Sequence, residues 1–517
     1  MPQGPHHRHR RTPIGAVAAL VISVAIAGCA NGTAAPGGGP STTGGGRTTT
    51  SPGGTTSGGA STTTTNGHTT TTSGGTTTTG GGTTTTTSPG DPFTVHPTNY
   101  LSLLPANSAA MRQLLTMDCR AANGQCYVPA QLETAYDAAY LYRLGIDGTG
   151  VTIGIVDSFG SPTIRSDLAA FDTEFSLPAP PSFTIVQPAG PVPPYQPTSL
   201  RSGWALETTL DVELAHLMAP GADITLAETP DAETEGTVGF PTIVASERYL
   251  IDKMGVDVIS QSFAATEQTF PSEQSVLGLR SALLDAYSHH VSVLGATGDW
   301  GASSYKSDST TYYPYPVVNW PASDPLVTAV GGTHIDVGGS GERLAPDSVW
   351  NDSGSPSSPS AGGGGTSIFF GRPSWQDGVE GVVGAHRGIP DISMTASGSG
   401  PALVYYSAPG RAGQLVPVWG TSVASPLFAG VVALADQLAG HALGLLNPEL
   451  YKLAAENAPG IVDVTSGNNS VYVTSGGRPV FVRGWSAVAG YDLASGLGTV
   501  DARHLVPELA GRTLPSA

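Results

Sequence analysis

The stretch Gly420-Thr-Ser-Val-Ala-Ser-Pro426 places a serine in a Gly-Thr turn just ahead of a small-residue, apolar run. That is the setting of a nucleophile, and a serine nucleophile needs a base, usually histidine. His216, His289, His290, His334 and His386 stand in contexts that read as surface or structural. Carboxylates are the other source. Between Gly203 and Pro220, Leu206, Leu210, Leu214 and Leu217 recur at helical spacing, and Glu207 and Asp211, four apart, project from the same side of that helix. Facing water they form a solvated acidic face. Facing inward they share a proton, one of them poised as a base at acidic pH. A third acid, Asp299, sits between glycines in Ala296-Thr-Gly-Asp-Trp-Gly301. A Gly-Asp turn is common by itself, but the ordered set Glu207, Asp211, Asp299, Ser422 is not.

These residues need a scaffold. VTIGIVD (151–157), ADITLAE (222–228), VDVISQS (256–262) and HVSVLGATGD (290–299) are short, β-branched, apolar runs, and a helical stretch from Val244 to Met254 separates the middle two. Strands alternating with helices predict an α/β fold with a parallel sheet covered on both faces. Ligands of such sheets gather at the carboxyl ends of the strands, where Asp299 falls.

Composition sets the limits. The chain has 517 residues and a formal net charge of −18, which argues against nucleic-acid binding and suits an acidic medium. A basic start, an apolar run from Ile14 to Ile26 and Ala27-Gly-Cys29 have the order of an export signal. The run is short for a membrane span, and the closing Cys29 matches a lipobox, so residues 1–29 read as a lipoprotein signal. Residues 30–90, almost wholly Thr, Gly, Ser and Pro, read as a disordered spacer holding a domain away from the membrane. Residues 91–127 form a short segment with a possible helix, Ser108 to Met117, and the pair Cys119 and Cys126, expected to close a disulfide after export. The folded domain spans 128–512.

VPAQLETAY, ETTLD, VISQSF, GATGDWG, YPVVNWPASDPLVTAVGGT, GGGGTSIFFGRPSWQ, RGIPDIS, GTSVASP, IVDVTSGNN and AVAGYDLASGLG resemble the sedolisin family of serine-carboxyl peptidases across 128–512. GTSVASP alone would also suit a subtilisin, and ETTLD with GATGD separates the two. The resemblance implies a subtilisin-like sheet flanked by helices in a single catalytic domain. It implies that Glu207 takes the Ser422 proton and returns it to the leaving amine, that Asp211 holds Glu207, and that a protonated Asp299 donates to the oxyanion. A carboxyl base and a protonated donor imply activity in acid. It also implies one Ca2+ ion held by Asp463, Val464, Val488, Gly490 and Asp492, an oxygen donor set that calcium prefers. Val488 stands where the family has glycine.

Asp157, in GIVDSFG, stands where a subtilisin has its triad aspartate and reads as structural without the histidine. Ser262 falls on the strand that resembles the peptide-binding edge, with Gly363 to Thr366 as a facing loop, and Trp419 is expected to narrow the pocket. The family's large folded propeptide has no counterpart here. The expectation is a monomeric, exported, surface-anchored acid endopeptidase acting on proteins or peptides, touching the membrane only through lipid on Cys29. The alternatives are a tripeptidyl-type aminopeptidase on the same fold and a non-catalytic binding protein.

Overall fold

The computed structural model describes residues 126–354 and 359–515. The leader, the spacer, Ser108 to Met117 and Cys119 lie outside the described residues. Cys126 is disulfide-bonded, and beside it Tyr127 pins the start of the domain. Tyr127 N–H donates to the Pro401 carbonyl at 2.8 Å, and its hydroxyl donates to the Ile335 carbonyl at 2.9 Å.

Seven parallel strands make the sheet: β1 (Thr152–Ser158), β2 (Phe183–Val186), β3 (Asp223–Thr229), β4 (Val258–Gln261), β6 (Ser292–Ala296), β8 (Thr328–His334) and β10 (Ile392–Thr395). Their spatial order is β10-β8-β6-β4-β1-β3-β2, and the short β9 (Ser348–Val349) adds antiparallel to β8. A separate two-stranded piece pairs β5 (Ala265–Thr266) with β7 (Asn319–Trp320). Each of the four apolar runs became a strand because both its faces are covered. In β1, Ile153 and Ile155 enter the main core while Val156 enters a second one on the opposite face.

Three helices matter most: α1 (Ser199–Met218), α2 (Phe240–Tyr249) and α3 (Thr421–Ala439). The Val244–Met254 stretch starts four residues earlier than its sequence suggests and ends in a π-turn, Leu250–Met254, closed by Gly255 at φ +63°. α1 begins on Thr198, whose hydroxyl oxygen accepts from Arg201 N–H. It is buried all round from Gly203 onward, because it runs between β1 and α3. α3 is apolar and long enough to cross a membrane, but it is 89% buried inside the domain, as a core helix must be. Where α3 meets the end of α1, a Cβ on Gly430 would stand 2.5 Å from the Met218 Cβ, so only glycine permits this approach.

Candidate active site

The carboxyl end of the sheet collects the chemistry. Asp157 ends β1, Ser262 follows β4, Asp299 follows β6 on a turn opened by Gly298 at φ +102°, and Ser422 opens α3. Glu207 and Asp211 are fully buried on α1, so the inward reading of that pair is the observed one.

Ser262 is the joint between acids and nucleophile. Its Oγ donates to Asp211 Oδ1 at 2.7 Å and lies 3.5 Å from the Ser422 carbonyl. That carbonyl is released by Pro426 of GTSVASP, which has no N–H to offer it from the next turn of the helix. One turn further along, Ser425 Oγ pairs with Ser260 Oγ on β4 at 3.0 Å, fixing α3 to the sheet.

Burial raises the Asp211 pKa well above its ordinary value, and the charges of Asp157 and Glu207 raise it further, against the Ser262 hydrogen bond. Asp157 is pushed up to about 7, chiefly by burial, while Thr208 and Asp211 beside it draw it back. Among the described residues Asp211 Oδ2 meets no N–H or hydroxyl donor, and burial beside the charges of Asp157 and Glu207 favours its protonated form. Asp157 therefore joins the acid network rather than standing apart from it. Carboxyls packed this closely in a dry site cannot all ionise, so this array holds protons well above the usual carboxylate range.

Asp299 is held from one side only. Its Oδ1 accepts from Thr421 N–H and Thr421 Oγ at 2.8 Å each, and the Thr421 hydroxyl oxygen in turn accepts from Gly298 N–H at 3.0 Å. Oδ2 is buried and meets no partner among the described residues. Burial pushes the carboxyl up to about 8, with the two Thr421 donors pulling the other way. In acid, then, Oδ2 carries a proton beside the first turn of the nucleophile helix. Sequence reasoning missed Thr421. Its signal is the residue before the serine in Gly-Thr-Ser, whose hydroxyl and N–H both reach Asp299.

Other expectations fare differently. His216 is fully buried and engaged elsewhere, with Nε2 at 2.9 Å from the Pro178 carbonyl and 3.1 Å from Asp172 Oδ1. Gly363 to Thr366 packs against the turn that carries Asp299. Gly363 N–H donates to the Gly298 carbonyl at 2.8 Å, and a Cβ there would stand 2.2 Å from the Thr297 oxygen. Trp419 packs against Gly398.

Near the C-terminus, Asp463 Oδ2 accepts from Gly490 N–H at 2.9 Å and Asp492 Oδ2 accepts from Val488 N–H at 3.0 Å. The structure thus brings Asp463, Val488, Gly490 and Asp492 together, with Val464 next to Asp463. None of the carbonyls of Val464, Val488 and Gly490 accepts a backbone hydrogen bond among the described residues. Asp492 Oδ1 also accepts from Ala494 N–H and Ser495 N–H at 2.9 and 2.8 Å, so the oxygens left for a hard cation are the remaining lone pairs of the two carboxylates and these three carbonyls. Among the described residues, no group of three or more His, Cys, Asp or Glu side chains forms a metal cluster.

Residues 202–471 match the Subtilase family model, Peptidase_S8. Kumamolisin from Bacillus sp. (strain MN-32) is 31% identical over 385 residues, covering 73% of this chain and 63% of that protein. Sedolisin from Pseudomonas sp. (strain 101) is 38% identical over 200 residues, covering 38% and 30%. Tripeptidyl-peptidase sed4 from Aspergillus fumigatus is 29% identical over 438 residues, covering 74% and 66%. The chain thus spans less than two thirds of the length of the first two. The solved structure of Pseudomonas sedolisin, a serine-carboxyl proteinase complexed with pseudo-iodotyrostatin, superposes with a TM-score of 0.62 at 24% identity, covering 75% of this chain and 99% of that one. It shares the fold.

Proposed function

The chain belongs to the subtilase family, in its sedolisin branch, and from that premise we propose that it is an acid-active serine-carboxyl peptidase. The observation that carries this reading is the line of buried groups from Asp157 through Asp211 and Ser262 to Ser422, with the uncommitted Asp299 Oδ2 beside it.

Ser422 Oγ attacks the carbonyl carbon of the scissile amide while its proton passes to Glu207. The carbonyl oxygen becomes an oxyanion and takes a hydrogen bond from protonated Asp299 Oδ2. As the C–N bond breaks, Glu207 returns the proton to the leaving amine, and an ester on Ser422 remains. Glu207 then takes a proton from water, the hydroxide attacks the ester carbon, and the acid product leaves as Ser422 regains its proton. Asp211 anchors the helix turn that carries Glu207. A carboxyl base working near its own pKa favours acid over neutral pH, while Asp299 keeps its donor proton up to about 8.

Endopeptidase action on protein substrates is the reading we adopt. The aminopeptidase reading is favoured by the likeness to tripeptidyl-peptidase sed4. The donor set at Asp463, Val464, Val488, Gly490 and Asp492 supports one bound Ca2+, which would supply local charge neutralisation and hold the two loops together. The leader and Cys29 support export and lipid anchoring, and the separate, acidic domain supports a monomer without nucleic-acid partners.

The test is cleavage of a denatured protein from pH 2 to 8 by the wild type, Glu207→Ala and Ser422→Ala. Activity confined to acid and lost in both variants supports the proposal, and fragment masses separate internal cleavage from tripeptide release. Activity that survives Glu207→Ala would mean a different base.

A further inference from the structure

The loop between β3 and α2, residues 230–239, carries two fully buried glutamates, Glu233 and Glu235. Glu235 reaches the segment that follows Ser262. Its Oε2 accepts from Thr266 N–H at 2.9 Å and from Thr269 Oγ at 3.1 Å. Glu267 N–H donates to the Val318 carbonyl at 3.0 Å, so the odd-numbered residues of this segment turn their backbone groups toward β7. Alternation then turns Thr266 toward the opposite edge, and we read the same alternation back through Ala264 to Ser262, the short link between β4 and β5. On that edge the Ala264 N–H and C=O have no partner among the described residues, although Ala264 is only 2% exposed. Buried backbone groups without partners call for one, and an added strand is the ordinary partner.

We propose that Glu235 is a specificity-determining residue that closes the far end of the substrate-binding edge, by occupying the Thr266 N–H that a longer substrate would otherwise use. This rests on the peptidase reading above. An extended peptide running antiparallel along the edge pairs its first residue before the scissile bond with Ser262 and its third with Ala264. Its fifth would need Thr266, where Glu235 already sits. About four residues on the amino side of the scissile bond are therefore recognised, and further ones add nothing. Burial pushes Glu235 up to about 8, against its Thr266 and Thr269 hydrogen bonds, so it is neutral in acid and glutamine is a close replacement.

The experiment measures kcat/KM for peptides carrying two to eight residues before one fixed cleavage point, with the wild type, Glu235→Gln, Glu235→Ala and Glu235→Ala/Thr266→Pro. Thr266 has φ −62°, which proline adopts, and proline removes the N–H. In the wild type and Glu235→Gln, kcat/KM rises to about four residues and then levels off. Glu235→Ala gains a further threefold to tenfold with five or more residues, the equivalent of about one net hydrogen bond, mainly through KM. The double variant loses that gain. A wild-type profile that keeps rising past five residues, or a folded Glu235→Ala with the wild-type plateau, overturns the proposal while leaving the peptidase reading intact. A wild type that cleaves none of the peptides at any pH from 2 to 8 overturns both.

Discussion

Each catalytic group is defined by what holds it and by what it lacks. Among the described residues Asp299 has both Thr421 donors on Oδ1 and none on Oδ2, so one oxygen anchors and the other is left to work. Asparagine would keep that division, its Oδ1 accepting from Thr421 and its Nδ2 donating without any need for a proton. Asp299→Ala should lower kcat by ~10²–10³, the loss typical of one oxyanion donor. Asp299→Asn should retain more activity and carry it to higher pH, since the native carboxyl stops donating as pH rises through about 8. Profiles of kcat/KM against pH for the three proteins check this, and an Asn variant with the wild-type upper limb would assign that limb to another group. The order of these four residues was legible in the sequence because each lies in a short stretch with its own turn or periodicity. Thr421 was not, since a hydroxyl beside a serine gives no hint of an acid more than a hundred residues away. The role of Asp157 was equally hidden, because a lone strand-end aspartate shows no partner until α1 is laid across β1.

The elements succeed or fail as positioning devices. Parallel strands and their order of appearance follow from β-branched runs covered on two faces, and this much could be read directly. The inward turn of Glu207 and Asp211 could not, because their spacing suits a wet face equally well; what decides it is α3 covering α1 from the other side. Loop 230–239 was opaque for a similar reason, since acids in a polar-looking loop normally face water. At the C-terminal loops, Asp463 with Gly490 and Asp492 with Val488 bring their oxygens together, and Ala494 and Ser495 hold Asp492 from its own turn. Removing calcium with a chelator should lower the thermal midpoint by several degrees and speed self-digestion near these loops. Asp463→Ala should show the lowered midpoint with or without chelator. A chelator-insensitive midpoint would leave the donor set as turn chemistry alone.

At the scale of the molecule, the interior is loaded with neutral acids. Burial raises Asp157 and Glu247 to about 7 and Glu235, Asp299 and Asp436 to about 8, and raises Glu213 and Glu233 well above the ordinary value. In the unfolded chain these groups titrate near ~4. The folded state therefore binds more protons above that pH. Its stability is full below pH ~4 and falls as pH rises toward 7 to 8. The formal net charge of −18 adds repulsion in the same direction. Thermal unfolding of the inactive Ser422→Ala protein, with calcium saturating, should give its highest midpoint near pH 4 and a steady decline toward pH 8. A midpoint that climbs with pH would show that these acids are charged in the folded protein.

The contact between Gly430 and Met218 gives the fold a remote adjustment. Base and nucleophile ride on two neighbouring helices, and the spacing of those helices is fixed about 12 Å along α3 from Ser422, at a point where a single methyl group has no room. Bulk introduced there would act as a wedge between two levers, altering how Glu207 and Ser422 meet although no reacting group had been replaced. Inherited differences in rate among chains built this way can thus originate in side-chain volume at a sealed contact, where a survey confined to the cleft would never look.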